Sequence, residues 1–508
     1  MGFYVAAIDC GTTRIKSGIV DQQGHIRGLA TRPGGVIAGP DNTVEVDPRA
    51  LVRGCLGALR EALRKSGVRR GKIEGLAVTN QRATLFFLGR DGDPIGNGIS
   101  WQDMRGNRSL QRVRRTLSDK GYFSITGLPI NPVFTLAKIL WVQSREPGRW
   151  RRTERVSLVQ DFVLARLGAR DACCDVSNAS MTGLLDVRTL MWSRPLLDLC
   201  RVGESRLPRL ALSGQRIGSL SAAAAAATGL PEGLPLISGG GDQQCAGIGA
   251  GAVEPGLVEI AMGTAAAPLC YAVRAALDRH MRVTCCAHAI PHRWEIEGLQ
   301  SSAGASLEWL ARIATRGGAH FNESFAEEVG RIPPGAGGII FLPYLSGASA
   351  PHWIPEARGA FLGLRLGQGS RELARAVLEG VSMQTREILD VFRGLRLPVR
   401  EIRLTGGGTA FEPWNQIQAD IFGMPVSVPE SREATLMGAA ILAAAGIGAV
   451  ATIAEGARLM VRLRKTYRPE AEQAAAYEVL YRRFRAVHAA FRKGGVFGVV
   501  SRKGGGHE

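Results

Sequence analysis

The sequence predicts an α/β protein that is built from two related domains. Its 508 residues exceed what one compact core usually holds. Short apolar runs that suit buried strands alternate along the chain with segments of helical periodicity. A strand, a Gly-Thr turn and a second strand occur near Gly11 and recur near Gly263, at the head of each half. Such a repeat predicts two related domains, and we place their boundary near Gly251.

The composition is typical of a soluble globular protein, with 45% hydrophobic and 21% charged residues. The net charge is +18, yet the arginines are scattered through every segment instead of clustering on one helix. We therefore expect no nucleic-acid partner. The alternative is salt-dependent binding of duplex DNA through the arginine excess and the basic C-terminal helix. An excess of positive charge would instead attract a small anionic substrate such as a nucleotide.

Cysteines and apolar segments predict a cytoplasmic protein. The nine cysteines include the adjacent pairs Cys173-Cys174 and Cys285-Cys286, which lack the spacing of a tetrahedral metal site. The N-terminus lacks the basic start and cleavage site of a signal peptide. Because the longest apolar runs are too short to span a bilayer, we expect no membrane partner. A homodimer is one option that the sequence leaves open.

The first strand, Phe3 to Ile8, ends at the carboxylate of Asp9 and leads into a hairpin. Its turn offers backbone N–H groups, hydroxyls and an amine, from Gly11, Thr12, Thr13 and Lys16. Such a turn suits phosphate, and a carboxylate at the strand end can hold Mg²⁺ through water. Gly and Thr also occupy hairpin turns for purely conformational reasons.

Two further strands end in polar or aromatic side chains. After a predicted helix over 48–65, a buried strand at 73–78 is followed by Arg82, and another strand ends at Trp101. Small molecules bind at strand ends of this kind in α/β sheets. Trp101 is equally well explained as a core aromatic, whereas Arg82 with its polar neighbours suits a polyol.

The stretch 238–244, Ser-Gly-Gly-Gly-Asp-Gln-Gln, carries the strongest candidate for catalysis. It follows an apolar strand, so we expect a glycine turn that presents Asp242 as a general base and lets the backbone approach a ligand. The alternative is a tight turn with a solvated aspartate. Gln243 stands beside the predicted base.

The second half repeats the pattern. A strand at 257–261 precedes Gly263 and Thr264, and Gly406 to Gly408 open a helix in a way that suits a nucleotide. A basic amphipathic helix at 478–491 and a loose tail at 492–508 close the chain.

These residues resemble the FGGY family of carbohydrate kinases from Asp9 to about Arg468. One family signature is met in full by Gly359 to Leu364, a seven-residue gap, and Glu372 to Glu379. A second signature, around Thr135, Lys138 and Trp141, is met except at Val133. The resemblance implies two actin-like or hexokinase-like domains, of the ribonuclease H type, that flank an ATP/sugar cleft.

The resemblance also implies roles for segments and residues. The N-terminal domain, 1–251, would bind sugar and carry the base Asp242, with Arg82, Trp101 and Gln243 on the substrate. The C-terminal domain, 252–468, would bind nucleotide, and 469–508 would form a C-terminal helix and basic tail. Asp9 would hold Mg²⁺. ATP would be bound by Gly11, Thr12, Thr13, Lys16, Gly263, Thr264, Gly304, Gly406, Gly407 and Gly408.

The substrate is predicted less directly. The segments 79–82 and 242–244 look like glycerol kinase, but that group has Glu where this chain has Ala83, and aromatic residues at Val133 and Ala267. Because a wider pocket would hold glycerol loosely, and because the segment Cys286 to Trp294 is similar to xylulokinase, we expect a pentulose such as xylulose. The alternatives are glycerol or another small polyol or tetrulose, and a sugar- and nucleotide-binding pseudokinase regulator.

Overall fold

The computed structural model describes residues 2–40, 42–169, 173–314 and 323–501. Its strands are β1 (Tyr4–Cys10), β2 (Arg14–Asp21), β3 (Ile26–Pro33), β4 (Val36–Ala38), β5 (Val44–Val46), β6 (Ile73–Asn80), β7 (Leu85–Leu88), β8 (Gly98–Ile99), β9 (Arg155–Leu158), β10 (Cys173–Asp175), β11 (Leu185–Asp186), β12 (Met191–Trp192), β13 (Arg209–Ala211), β14 (Arg216–Ser219), β15 (Pro235–Gly241), β16 (Gly256–Met262), β17 (Ala266–Ala272), β18 (Thr284–Ala287), β19 (Trp294–Glu297), β20 (Ile340–Leu342), β21 (Ala360–Leu362), β22 (Val399–Thr405), β23 (Val426–Pro429) and β24 (Leu463–Tyr467).

The α-helices are α1 (Pro48–Ser66), α2 (Gln111–Thr126), α3 (Thr135–Arg145), α4 (Pro147–Arg152), α5 (Val159–Leu167), α6 (Val176–Ser180), α7 (Arg194–Cys200), α8 (Ala222–Thr228), α9 (Asp242–Gly249), α10 (Gly304–Ala314), α11 (Glu323–Gly330), α12 (Ser370–Gly394), α13 (Glu412–Phe422), α14 (Ala434–Gly446), α15 (Ile453–Met460), α16 (Ala471–Lys493) and α17 (Val496–Ser501). Within the described ranges, none of these helices is both long and apolar enough to cross a membrane.

The chain forms two compact units that interleave along the sequence. The first contains Met1–Glu254, Tyr271–Glu295 and Glu433–Arg462. The second contains Pro255–Cys270, Ile296–Arg432 and Leu463–Glu508. The division of ligand roles among 1–251, 252–468 and 469–508 stays a prediction.

The central sheet of the first unit has the strand order β14-β15-β6-β1-β2-β3. β1 and β2 form the predicted antiparallel hairpin, while β6 is parallel to both β1 and β15. β14 lies antiparallel to β15 at the edge. The buried faces of β1 and β6 are continuous apolar runs, as expected of strands that helices cover on both sides.

The second unit repeats this arrangement. β16 is antiparallel to β17 and parallel to β22, which is in turn parallel to β23. β24 lies antiparallel to β23, as β14 does to β15. The duplication that the two Gly-Thr turns predict is therefore confirmed by the topology.

Helices α1 and α14 cover opposite faces of the first sheet. The Asp47 carboxylate accepts hydrogen bonds from the backbone N–H groups of Arg49 and Ala50, and this cap begins α1. α14 consists mainly of small residues and packs closely on α9, because a Cβ on Gly438 would clash with the backbone of Cys245. This close approach buries both helices beneath the strands that carry the candidate site.

The C-terminal segment differs in part from its prediction. α16 covers the predicted helix at 478–491 and extends beyond both of its ends. The predicted loose tail, 492–508, contains the helix α17, in which Phe497 is buried. Residues 502–508 lie outside the described residues.

Candidate active site

The predicted base and sugar ligands lie at the carboxyl ends of neighbouring parallel strands. Asp9 is the next-to-last residue of β1, Arg82 follows β6 by two residues, and Asp242 directly follows β15. Because β1 and β15 are both parallel to β6, these three ends open at one edge of the sheet.

Arg82 lies between two carboxylates. Its Nε is 3.3 Å from Oδ1 of Asp242, and its Nη1 is 3.4 Å from Oε1 of Glu295. The side chain of Glu295 is 1% exposed and that of Arg82 10%, whereas Asp242 keeps 30% of its side chain exposed. Asp242 is therefore the member of this trio that a ligand reaches most easily.

The heptad 238–244 is a strand followed directly by a helix, so the predicted glycine turn is wrong. A Cβ on Gly239 would clash with the backbone of Val78, and one on Gly240 would lie 2.7 Å from Cβ of Ala289. These glycines are needed for packing inside the first unit. Packing alone explains these glycines, whereas we had expected that the close approach of a ligand would explain them.

Asp9 lies in a cluster of charges. The Lys16 Nζ donates to Oε2 of Glu433 at 2.5 Å. Burial, together with the negative charges of Asp242 and Glu433, raises the pKa of Asp9 to about 7 against the opposing charge of Lys16. A divalent cation would stabilise the ionised form of a carboxyl whose pKa is raised by burial and by like charges. The surroundings of Asp9 therefore fit the predicted Mg²⁺.

Thr12 joins the first phosphate turn to the strand ends. Its hydroxyl donates to Oε1 of Gln81 at 2.9 Å and accepts a hydrogen bond from Nε1 of Trp101, also at 2.9 Å. Thr84 donates to the same oxygen of Gln81 at 3.2 Å. The structure thus connects Trp101, which we expected on the substrate, with Thr12, which we expected on ATP.

Polar residues of α6 support the strand ends and were missed in the sequence. The backbone N–H of Gly241 donates to Oγ of Ser177 at 2.9 Å. The side-chain amides of Asn80 and Asn178 bond to each other reciprocally, at 3.1 and 2.9 Å. The available sequence signal was the grouping of four polar residues, Asp175, Ser177, Asn178 and Ser180, within six positions. In the structure the side chains of all four are buried.

The predicted nucleotide residues of the second half come together in the second unit. The backbone N–H of Gly304 donates to the carbonyl of Gly263 at 2.9 Å, and that of Ala303 donates to Thr264 at 3.0 Å. A Cβ on Gly304 would lie 2.5 Å from the Gly263 oxygen, so this contact requires glycine. The start of α10 is thereby fixed against the second Gly-Thr turn.

The three glycines after β22 differ in their surroundings. Gly406 has a φ of 83°, and a Cβ there would lie 2.6 Å from the backbone oxygen of Met262. A Cβ on Gly408 would lie 3.1 Å from the Cβ of Met262. Among the described residues, no atom would lie within 4 Å of a Cβ on Gly407.

The segment Cys286 to Trp294 belongs to the first unit with Asp242. Nε2 of Gln244 donates to the carbonyl of Ala287 at 3.3 Å, and Ala289 packs against Gly240. Burial lowers the pKa of His288 in this segment to about 3. The sequence placed the segment beyond the boundary at Gly251, whereas its contacts place it beside the predicted base.

Ala83 and Val133, two of the residues that predict a wider pocket, differ from each other in their surroundings. Ala83 is 1% exposed, and its φ of 62° lies in the left-handed region. Val133 is half-buried, and its carbonyl accepts a hydrogen bond from Lys138. Although Ala83 brings no carboxylate, Glu295 places one against the guanidinium of Arg82 from a distant part of the chain.

Family models and relatives agree on the class of protein. The N-terminal domain of the FGGY family of carbohydrate kinases matches residues 4–249, and the C-terminal domain of that family matches 259–447. A glycerol kinase of Methylibium petroleiphilum is 34% identical over 463 residues, which cover 88% of this chain and 91% of the relative. A xylulose kinase of Bacillus subtilis is 30% identical over 488 residues, 96% of each chain.

The fold has a close match among solved structures. A gluconate kinase of Lactobacillus acidophilus superposes with a TM-score of 0.90 over 97% of this chain and 98% of its own, at 24% identity. This likeness and the repeated topology confirm the predicted class, α/β with two actin-like domains of the ribonuclease H type. The chain belongs to the FGGY family of carbohydrate kinases and is an ATP-dependent sugar or polyol kinase.

Proposed function

We propose that this kinase phosphorylates a pentulose such as xylulose, with Asp242 as general base. The observation that supports this substrate is the position of the segment Cys286 to Trp294, which is similar to xylulokinase. Through Ala287 and Ala289 it packs against the strand and helix that present Asp242. A segment in this position shapes the surroundings of the acceptor hydroxyl.

In the proposed reaction, Asp242 takes the proton of the substrate hydroxyl as its oxygen attacks the γ-phosphorus of ATP. The bond from that phosphorus to the bridging oxygen breaks, and ADP leaves. Proton abstraction by a positioned base contributes about 10²- to 10⁴-fold to such a rate. Arg82 and Gln243 orient the sugar, and the Oε1 of Gln243 is buried without a hydrogen-bond partner in the described part of the chain. A sugar hydroxyl would satisfy that oxygen.

As nucleotide ligands we propose two sets of residues. The first is Gly11, Thr12, Thr13 and Lys16, and the second is Gly263, Thr264, Gly304 and Gly406 to Gly408. Asp9 would hold Mg²⁺, which neutralises charge on the phosphates when it is bound. The Lys16 ammonium already contacts Glu433, so it would bind phosphate while keeping a carboxylate at its other side.

A second candidate substrate is glycerol, or another small polyol or tetrulose. It is favoured by the heptad that presents Asp242, which resembles glycerol kinase, and by the relative from Methylibium petroleiphilum that carries that name. The two candidate substrates differ in size. The carboxylate of Glu295 beside Arg82 is part of neither the resemblance to glycerol kinase nor the resemblance to xylulokinase.

A coupled assay of ADP release over pentuloses, tetruloses, polyols and sugar acids tests the proposal. We expect the highest kcat/KM with a pentulose. A higher value with glycerol would replace the proposed substrate by the second candidate. Asp278→Asn is a control variant. Asp278 is a buried carboxylate in the same unit as Asp242, but it pairs with Arg282 instead of Arg82. It should keep the substrate preference of the wild type.

A further inference from the structure

The guanidinium of Arg82 is shared by two carboxylates that come from different parts of the chain. Asp242 contacts Nε at 3.3 Å and Glu295 contacts Nη1 at 3.4 Å. Glu295 lies 213 residues from Arg82 in sequence, on β19, and its side chain is almost completely buried. A buried carboxylate is costly unless it is paired, so this position of Glu295 requires a compensating interaction.

The charge of Asp242 changes during the proposed reaction. When Asp242 accepts the hydroxyl proton it becomes neutral, and its attraction for Arg82 falls. Arg82 is only 10% exposed, so water alone would compensate its charge poorly. Glu295 touches a different nitrogen of the same guanidinium and is not a partner in that proton transfer. It can therefore hold Arg82 in place while the base is protonated.

Neighbouring contacts hold the Glu295 backbone. The indole N–H of Trp294 donates to the carbonyl of Val187 at 2.6 Å. One residue earlier, the Nε of Arg293 donates to the hydroxyl of Tyr271 at 2.8 Å. Both anchors, like Glu295 and Arg82, lie within the first unit.

We infer that Glu295 is a positioning residue for phosphoryl transfer, which acts through Arg82 to keep the sugar-binding arginine and the base Asp242 in register. This role rests on the proposed function of Asp242 and Arg82. It adds to the site a carboxylate that is distant in sequence from every predicted substrate ligand.

Glu295→Gln tests the role, because glutamine keeps an acceptor oxygen and removes the charge. We expect kcat/KM for the best sugar of the substrate panel to fall by about 10- to 100-fold, the range of coupling within one ion-pair network. The KM for ATP should change by less than about twofold, since Arg82 lies in the predicted sugar site. The control Asp278→Asn, which also removes a buried carboxylate paired with arginine, should leave kcat/KM near the wild-type value.

A double-mutant cycle with Arg82→Gln separates positioning from a purely structural role. If Glu295 acts through Arg82, Glu295→Gln should change kcat/KM by less than about twofold once Arg82 is replaced. Where turnover of Arg82→Gln is too slow, the cycle is closed on sugar affinity measured by calorimetry. Equal losses with and without Arg82, or a fall in Tm with unchanged kcat/KM, would overturn the inference.

The two proposals fail in different ways. Wild-type protein that phosphorylates only a polyol would refute the pentulose and leave Glu295 to be tested with that polyol. Wild-type kcat/KM in Glu295→Gln would refute the positioning role, and the substrate assignment would stand.

Discussion

At the scale of single residues, Asp242 is expected to act in the chemical step and to contribute little to nucleotide affinity. Asp242→Asn keeps the shape of the side chain but removes its basicity. We expect kcat to fall by about 10²- to 10⁴-fold, while the Kd for ATP, measured by calorimetry, stays within about twofold. A mutant that keeps most of its kcat would show that another group takes the proton.

The same scale shows which residues can be predicted from the sequence. Arg82 and Asp242 were found because each lies within two residues of the end of an apolar strand, and a strand end is a local pattern. Glu295 and Glu433 were missed because their partners, Arg82 and Lys16, are 213 and 417 residues away. No local periodicity encodes a contact at such a separation, so these carboxylates become visible only when the strands are paired.

At the scale of elements, variants of the glycine turn after β22 distinguish an effect on packing from an effect on ligand binding. Gly406→Ala places a Cβ against Met262 at a φ of 83°, so we expect a lower Tm together with weaker ATP binding. Gly407→Ala meets no atom of the described residues within 4 Å and should leave Tm unchanged, yet it should raise the KM for ATP if the nucleotide lies against this turn. Thermal unfolding and ATP kinetics on both variants provide the comparison. An unchanged KM in Gly407→Ala would remove Gly407 from the proposed ATP site.

The strand β16 contains a carboxyl group whose protonation is linked to stability. Burial, with a smaller contribution from the charge of Glu297, raises the pKa of Glu259 to about 8, while the hydroxyl of Thr405 donates to Oε1 and opposes the shift. The folded state therefore binds the proton more tightly than the unfolded state, whose glutamate titrates near 4.5. Its stabilising contribution is complete below pH 4.5 and is lost as the pH rises through 8.

Glu259→Gln should remove this dependence, because the amide is neutral at every pH. Between pH 6 and 9 we expect the wild-type Tm to fall relative to that of Glu259→Gln, by several degrees if the difference in unfolding free energy exceeds about 1 kcal/mol. Thermal unfolding across that interval measures the difference. Parallel curves for the two proteins would mean that Glu259 is ionised in the folded state.

At the scale of the whole molecule, the duplication was predictable and the interleaving was not. Both Gly-Thr turns and the strands around them are local patterns, and they predicted two related domains. The strand orders of the two sheets agree with that prediction. The sequence nevertheless suggested one cut near Gly251. The segments 271–295 and 433–462 return to the first unit through tertiary packing, and a chain read in order gives no sign of that return.

The interleaving predicts that residues 1–251 do not fold alone. This fragment lacks α14, whose large apolar residues Leu436, Met437, Ile441 and Leu442 are each at most 1% exposed. At about 1.5–3 kcal/mol for each side chain, their loss is comparable with the entire stability of a typical domain, about 5–15 kcal/mol. We expect the fragment to show no cooperative thermal transition by circular dichroism, in contrast to the full chain.

A variant of the full chain tests the same packing without truncation. Gly438→Val should push α14 away from α9, because a Cβ at this position already clashes with the backbone of Cys245. We expect a large fall in Tm or insoluble protein. Gly71→Ala is the control, since a Cβ there meets no atom within 4 Å in the part of the chain that the structure describes. A fragment 1–251 that unfolds cooperatively, together with a Gly438→Val protein of normal Tm, would show that the first domain ends near Gly251 and that α14 is dispensable for its fold.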